Sequence, residues 1–323
     1  MHPIRRILVA VKEPGAITLP AVAKAARIAQ ACGAHLELFH ALKASIWANT
    51  PDAYEEAVRD LYKTQHHHYV QRLERVAARL RVHGLKVTTA VEYDYPAYDA
   101  IIRRALHINA DLIVARRHCG RSAISSLLRL TDWELLRHSP VPVLLVKRQG
   151  PYRHPNVLAA VDPSRAHSKP AQLDGEILSA AGQLTASLRG RLHVVHAYAP
   201  VVIGSSMKSI SASAAARLDQ VASADARKEF DRLLEGSTIP QTRRHLVADE
   251  PAAAINRLAR RMPADIVVMG ALSRRGLKRL IIGNTAESLL DEMPCDVLIV
   301  KPDQFVCRVP LECNGPRFLA RAS

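Results

Sequence analysis

Apolar residues along the first half of the chain follow two alternating spacings. Short runs that are apolar at nearly every position, which is typical of buried parallel strands, are separated by longer stretches with helical spacing. Strands are predicted at residues 7–11, 36–40, 86–91, 111–115 and 142–146, and helices at 19–32, 54–83, 97–107 and 123–138. Because a helix joins each pair of successive strands, this order predicts an α/β fold in which helices cover both faces of a parallel sheet.

The second half of the chain repeats this order. Residues 140–147 (PVPVLLVK) resemble residues 294–301 (PCDVLIVK), which lie 154 residues further on (294 − 140), and residues 110–114 have a counterpart at the same distance. Around the first strand the distance is 150 residues (158 − 8). Several matches at one offset indicate two homologous domains in tandem. We predict a first domain at residues 1–150, a second at 151–305 and a loosely packed C-terminal tail at 306–323.

A glycine-bearing stretch follows the fourth predicted strand of the second half. Gly270 ends the apolar run at residues 264–269, Gly276 and Gly283 follow, and Asn284 then has the character of a helix N-cap. Glycine lets backbone N–H groups approach a phosphate, and a helix N-terminus adds partial positive charge. The stretch therefore predicts an anion site; the alternative is that the glycines only make turns.

Composition narrows the functions that are open to this chain. Its 323 residues are 48% hydrophobic but only 4% aromatic, so an aliphatic core is expected. No apolar run approaches the roughly 20 residues of a membrane-spanning helix, and we expect a cytoplasmic protein without membrane insertion. The five cysteines include no Cys-x-x-Cys pair, which argues against a zinc site. The net charge of +15 favours nonspecific nucleic-acid binding, but no readout motif accompanies it, and we interpret it as a solvated basic surface.

These features together resemble the universal stress protein family in its tandem, two-domain form. The resemblance is carried by Gly270, Gly283, the Ala286-Glu287 pair and the final strand at residues 297–301, and it runs through both halves. It implies a five-stranded parallel sheet of order 3-2-1-4-5 in each domain. It also implies that the two last strands pair in an intramolecular pseudo-dimer, and that the protein serves stress tolerance in the bacterial cytoplasm.

In the nucleotide-binding branch of this family, a glycine loop holds the phosphates of an adenine nucleotide such as ATP, with Mg²⁺. An aspartate after the first strand and the backbone after the second strand hold the base and ribose. In the second domain the resulting candidates are Asp162, Ala197, Met269, Gly270, Ser273, Gly276, Gly283, Asn284 and Thr285. Ser273 stands where the family has its middle glycine, and Asn284 stands where it has serine or threonine. Asp162 and Gly270 follow the two strands between which the strand order reverses, which is where open α/β sheets bind ligands.

The first domain lacks the corresponding residues. Arg116 stands at the position of Gly270, Arg129 at that of Gly283, and Lys12 faces Asp162 in the alignment of the two halves. A phosphate cradle that depends on close backbone approach is not expected to survive these replacements. We interpret the first domain as a degenerate copy with a structural or partner-binding role.

Three functions remain open at this point. The leading one is a regulatory binding module that holds an adenine nucleotide or another phosphorylated ligand in its second domain. The second is a slow metal-assisted ATPase in which Asp162 orients Mg²⁺, and the third is a ligand-free scaffold for a protein partner or nucleic acid. A fast NTPase or serine hydrolase is not expected, because a Walker Gly-Lys-(Ser/Thr) and a G-x-S-x-G elbow are both absent. We assign no catalytic and no metal-binding residue.

Overall fold

A computed structural model describes residues 3–43, 55–117, 123–163, 173–200, 212–271, 290 and 292–312. The chain divides into two compact units. The first unit combines the N-terminal half, as far as Tyr152, with the C-terminal segment that begins at Phe305. The second unit runs from Arg153 to Gln304. The C-terminal segment is therefore part of the first unit, although it follows the second unit in the sequence.

The first unit contains a parallel sheet with the order β3-β2-β1-β4-β5. Its strands are β1 (Arg6–Ala10), β2 (His35–Leu42), β3 (Val87–Tyr93), β4 (Leu112–Arg116) and β5 (Val143–Val146). Its helices are α1 (Pro20–Cys32), α2 (Glu55–Val82), α3 (Ala97–His107) and α4 (Ala123–His138). The predicted fold class and the strand order 3-2-1-4-5 are confirmed here.

The second unit repeats the same topology, with the order β8-β7-β6-β9-β10. Its strands are β6 (Asn156–Val161), β7 (Arg191–Tyr198), β8 (Arg244–Ala248), β9 (Ile266–Gly270) and β10 (Asp296–Val300). Its helices are α5 (Leu173–Ser187), α6 (Ala212–Leu233) and α7 (Pro251–Arg261), with a short 3-10 helix at Gln241–Arg243. Strands β6, β9 and β10 are buried almost throughout, which explains their apolar runs.

Local chemistry sets the ends of the elements. Helix α1 begins with Pro20, whose missing N–H would have no partner within the helix at this position. Gly33 follows the helix in the left-handed conformation, with φ +66°. A repeated aspartate aligns the first and fourth strands of each sheet. Asp111 Oδ2 accepts the backbone N–H groups of Arg5 and Arg6 at 2.7 and 2.9 Å, and Asp265 Oδ2 accepts that of Asn156 at 2.9 Å.

Candidate functional site

The crevice of the second unit lies at the carboxyl ends of β6, β7 and β9. In the register of the sheet, Val161 pairs with His196 on one side, and Ala160 pairs with Met269 on the other. The residues that follow, Asp162 and Gly270, therefore end neighbouring strands. Strand order reverses at β6, because β7 follows it on one side and β9 returns on the other. The structure thus brings together four of the predicted residues, which are Asp162, Ala197, Met269 and Gly270.

Asp162 is held at this edge by groups on two neighbouring elements. Its backbone N–H donates to Asp174 Oδ1 at 3.0 Å, and Asp174 lies in the first turn of α5. Its own Oδ1 lies 4.0 Å from Nδ1 of His196, which is ion-pair range but too long for a hydrogen bond. The side chain is 29% exposed, so the carboxylate can still meet a ligand. The site therefore has two neighbouring carboxylates, one of which the sequence pattern did not suggest.

His196 is a second residue of the site that no sequence motif indicated. It is fully buried, packs against Phe230 of α6 with ring centroids 6.0 Å apart, and its Nδ1 lies 3.3 Å from the carbonyl of Val161. Because a carbonyl can only accept, Nδ1 is the protonated ring nitrogen in this contact. The contact fixes the backbone immediately before Asp162. The sequence did hold a signal, since His196-Ala197 recurs in the first half as His40-Ala41.

The first unit makes the same histidine contact. His40 Nδ1 donates to the carbonyl of Val11 at 2.6 Å, and its ring lies 4.6 Å from that of Tyr69. Burial lowers the pKa of His40, although the hydrogen bond to Val11 opposes this change. The histidine at the end of the second strand is therefore part of the common scaffold, because it occurs in both units.

Gly270, the last residue of β9, packs closely against α5. A Cβ built on it would lie 2.7 Å from Leu173 Cδ2 and 3.2 Å from Ile177 Cδ1, both on α5. Its backbone does not adopt the left-handed conformation that favours glycine, so close approach of the helix to the strand is the physical reason for the residue. These contacts favour a packing role for Gly270 over the alternative, a glycine that only makes a turn.

In the first unit, two lysines replace the two carboxylates of this crevice. At the offset of 150 residues, Lys12 and Lys24 occupy the positions of Asp162 and Asp174. Lys12 forms an ion pair with Asp132, whose side chain is 1% exposed, and it lines a pocket with Arg116 at the ends of β1 and β4. Lys24 is buried, with its Nζ 4.6 Å from the centre of the Tyr152 ring. The two crevices share a location but cannot favour the same ligand groups.

The remaining predicted residues, Ser273, Gly276, Gly283, Asn284 and Thr285, lie outside the described residues. Their contribution to the site therefore stays a prediction. Among the helices that the structure describes, none is both long and apolar enough to cross a bilayer.

Comparison with known proteins identifies the family of both units. The model of the universal stress protein family matches residues 3–147 and again residues 155–301. Universal stress protein E of Photorhabdus laumondii is 30% identical over 230 residues, covering 70% of this chain and 72% of the relative. Universal stress protein E of Escherichia coli K12 is 27% identical over 235 residues, covering 71% of this chain and 72% of the relative.

Two solved structures match nearly the whole chain. A protein of unknown function from Pseudomonas aeruginosa PAO1 superposes with a TM-score of 0.68 at 26% identity, covering 93% of both chains. A universal stress protein from Archaeoglobus fulgidus superposes with a TM-score of 0.62 at 17% identity, covering 93% of this chain and 97% of that one, and shares the fold. Since the family model matches both halves, the chain belongs to the universal stress protein family, as a tandem of two family domains.

Proposed function

We propose that the second unit binds an adenine nucleotide or another phosphorylated ligand, and that the protein acts as a regulatory binding module in the cytoplasmic stress response. The observation that carries this proposal is the adjacency of Asp162 and Gly270 at the point where the strand order of the second sheet reverses. Family membership supports the same location, because the resemblance assigns the base and ribose to Asp162 and Ala197 and the phosphates to the glycine loop.

The charges of the crevice orient the ligand. Carboxylates accept hydrogen bonds from ribose hydroxyl or base N–H groups but repel phosphate, so the phosphates should lie away from Asp162 and Asp174. The stretch of residues 272–283, predicted to form the glycine loop, contains four basic residues, Arg274, Arg275, Lys278 and Arg279. The base and ribose should therefore face the two carboxylates, and the phosphates should face the loop.

Mg²⁺ fits the donor set of this crevice. Carboxylate oxygens are the protein ligands that Mg²⁺ prefers, and it usually binds through one or two of them together with substrate phosphates. Asp162, which is partly exposed, would be the first such ligand, and Asp174 stands next to it. An ion bound there would hold phosphate oxygens beside Asp162 and neutralise part of their charge, so this arrangement is an alternative to the orientation in which Asp162 meets the base or ribose.

The first unit is not expected to bind the same ligand. Lys12 and Arg116 line its pocket where the second unit presents Asp162 and Gly270. Neither cation can accept a hydrogen bond from ribose or base, and an arginine side chain fills space that a glycine leaves open. One nucleotide per chain is the expected stoichiometry.

Titration calorimetry with ATP and Mg²⁺ tests this proposal. Asp162→Asn should weaken binding by about tenfold or more, because it removes a charged acceptor while keeping the size of the side chain. Arg116→Gln is the matched control in the crevice of the first unit and should leave affinity unchanged. Mass spectrometry of small molecules released from the purified protein would identify a ligand other than ATP.

Two results would refute the assignment. Loss of binding in Arg116→Gln, with Asp162→Asn unaffected, would move the site to the first unit. No released ligand, together with no heat at millimolar ATP, would favour a ligand-free scaffold for a protein or nucleic-acid partner.

Slow Mg²⁺-assisted hydrolysis is a second candidate, because Asp174 adds a second carboxylate beside Asp162. It predicts phosphate release that falls in both Asp174→Asn and Gly283→Val while the fold stays intact. Phosphate release that persists in both variants would come from a contaminating enzyme. Hydrolysis by this protein would then be rejected, and the binding-module proposal would remain.

A further inference from the structure

Two histidines of the second unit lie side by side on one face of its sheet. His193 is on β7 and His245 is on β8, and their rings stack with centroids 5.4 Å apart and planes at 11°. Nδ1 of His193 lies 3.1 Å from Nε2 of His245, so one of these nitrogens donates a hydrogen bond to the other. Among the residues that the structure describes, neither histidine has a hydrogen-bond partner for its second ring nitrogen. The pair can therefore offer these two nitrogens to a ligand.

Three arginines surround this pair. Arg191 precedes His193 by two residues, so both side chains lie on the same face of β7. Arg243 directly precedes β8 and, in the register of the two strands, stands across from His193. Arg261 is the last residue of α7, and burial together with its charge lowers the pKa of His245. We call these five residues the histidine–arginine patch.

Carboxylates on the neighbouring elements are engaged elsewhere. The patch faces α7, because His196, an odd number of residues further along β7, contacts α6 on the other face. Asp249 pairs with Arg257, Glu250 caps the start of α7, and Asp265 accepts a backbone N–H of β6. None of the three arginines of the patch forms an ion pair with a carboxylate in the described part of the chain. The positive charge of the patch is thus not neutralised by these residues.

The first unit has an internal ion-pair network at the corresponding place. When the second strands are aligned by their His-Ala pairs, at an offset of 156 residues (196 − 40), Glu37 stands at the position of His193. Glu37 accepts hydrogen bonds from Arg104 of α3 at 2.6 and 3.2 Å and from Thr88 at 3.2 Å. Thr88 is also its register partner, as Arg243 is that of His193. The first unit therefore has a carboxylate where the second unit has its histidine pair.

The replacements in the second unit reverse the charge at this place. Glu92, the second carboxylate that binds Arg104, corresponds to Val247 in the register of the strands. Arg104 itself corresponds to Leu258 at the offset of 154 residues (258 − 104). The second unit thus lacks both carboxylates of the network, and it has Arg243 where the first unit has a threonine.

We propose that the histidine–arginine patch is a binding site for a small dianionic oxyanion, namely a phosphate or sulfate ion or the phosphate group of a monoester. The bound oxyanion would take the place that the Glu37 carboxylate has in the first unit. Arginine suits such a ligand, because its guanidinium presents several N–H donors in a planar fork. A metal cation fits less well, because three arginines repel it and each histidine already uses one ring nitrogen in the contact with the other.

The patch is separate from the crevice of the same unit. His193 is the third residue of β7 and His245 is the second residue of β8. Asp162 and Gly270, by contrast, lie at the carboxyl ends of β6 and β9. Because these strands are parallel, the patch lies toward the opposite end of the sheet. The oxyanion site is therefore independent of the proposed nucleotide site.

Binding should be coupled to the uptake of a proton. In the neutral pair only one of the two outer ring nitrogens carries a proton, whereas an added proton makes both of them donors. Burial, followed by the charges of His245, Arg243 and Arg191, lowers the pKa of His193 to about 4. A bound dianion raises the pKa of the pair again, so affinity should increase as the pH falls from 7.5 to 5.5.

Titration with sulfate, followed by NMR of the histidine rings at constant ionic strength, tests the site. Sulfate remains a dianion throughout this pH range. Arg243→Gln should weaken sulfate binding by about tenfold or more. Arg244→Gln is the matched control, because it removes the same charge from the next residue, whose side chain donates to the carbonyl of Ile239 instead. Arg217→Gln, at an exposed position of α6, serves as the control if Arg244→Gln misfolds.

Two variants of His193 test the chemistry of the patch. His193→Glu introduces the carboxylate that the first unit has at this position and should abolish sulfate binding. Wild-type affinity for sulfate should rise about three- to tenfold between pH 7.5 and pH 5.5, and His193→Gln should flatten this dependence. Inorganic phosphate and phenyl phosphate, compared at pH 7.5, distinguish a free ion from a monoester as the preferred ligand.

Three results would overturn the proposal. Equal loss of sulfate affinity in Arg243→Gln and in the control would show a response to net charge alone. Absence of any sulfate-dependent change at either histidine would show that no oxyanion binds there. A single-stranded oligonucleotide that shifts both rings while sulfate does not would assign the patch to nucleic acid. ATP binding should stay unchanged in His193→Glu, so failure of the oxyanion site would leave the nucleotide proposal standing.

Discussion

Replacement of Gly270 by alanine tests whether close packing of α5 is the reason for this glycine. The added Cβ would lie 2.7 and 3.0 Å from Cδ2 and Cγ of Leu173, and 3.2 Å from Ile177 Cδ1. Both side chains are buried, with 3% and 2% of their surface exposed, so neither can swing into solvent. Overpacking of this kind typically costs about 1–3 kcal/mol. No backbone strain adds to this figure, because φ at Gly270 is not positive.

The expected loss is measured by urea unfolding, followed by circular dichroism, as a shift of the midpoint at constant slope. Gly182→Ala is the matched control within α5. A Cβ there meets nothing within 4 Å, and removing a glycine from a helix should add about 0.5–1 kcal/mol. Displacement of α5 would also move Asp174, so Gly270→Ala should weaken nucleotide binding whereas Gly182→Ala should not.

A double-variant cycle with Leu173 separates the clash from other causes. Leu173→Ala alone should cost about 2–5 kcal/mol through the cavity that it leaves. Combined with Gly270→Ala it should cost less than the sum of the two changes, by about 1 kcal/mol or more, because the new methyl group occupies the vacated space. Stability of Gly270→Ala equal to wild type, or strict additivity with Leu173→Ala, would refute the packing explanation.

Three further predictions concern other parts of the two units. Lys12→Met should destabilise the first unit by about 1.5–3 kcal/mol, because it removes a charged hydrogen-bond partner from the buried carboxylate of Asp132. Thermal unfolding should show partial recovery in Lys12→Met/Asp132→Leu, and additive losses would contradict the pairing. Burial, together with nearby His245 and arginine side chains, lowers the pKa of His193 to about 4. Between pH 6.5 and pH 4 the unfolded state therefore binds more protons than the folded state, and the free energy of unfolding falls as the pH falls. Compared with His193→Gln, wild type should lose about 1–2 kcal/mol more between pH 7 and pH 4.5 in urea titrations, and parallel pH profiles would exclude this role. Asp111→Ala should lower the free energy of unfolding by about 1–3 kcal/mol, because two backbone N–H groups lose their acceptor. Amide hydrogen exchange at the start of β1 should also become faster. Unchanged exchange there would show that water replaces the carboxylate as acceptor.

Most strands and helices could be predicted from the sequence, because the patterns that determine them lie within short stretches of chain. Apolar runs predicted the strands to within a residue or two, and the helix predicted at residues 123–138 is observed as α4 (Ala123–His138). The 154-residue offset revealed the tandem repeat before any fold was known. Placement of the crevice followed from topology, because ligands gather where the strand order reverses. Asp162 and Gly270 could therefore be assigned to one edge of the second sheet.

The side chains that surround Asp162 and Gly270 could not be predicted in this way. Asp174 lies twelve residues beyond Asp162 in no recognisable motif, and only the approach of α5 to the end of β6 brings their atoms to 3.0 Å. The recurrence of His-Ala and of Asp-x-Pro-Ala was present in the sequence as a signal. Only the structure shows that the histidine contacts a strand-end carbonyl, and that the aspartate of each Asp-x-Pro-Ala pairs with an arginine of the following helix, Asp94 with Arg103 and Asp249 with Arg257.

Sequence patterns were thus enough to predict two tandem α/β units, the strand order implied by the family resemblance, and the edge of the sheet at which the crevice lies. These follow from side-chain periodicity and from repeat spacing, which act over short stretches of chain. Three features came from the tertiary structure: α5 packs against Gly270, Lys12 pairs with the buried Asp132, and residues 305–312 join the first unit. Such contacts join residues far apart in the chain, and they depend on which surfaces fit together and on how buried charges find partners.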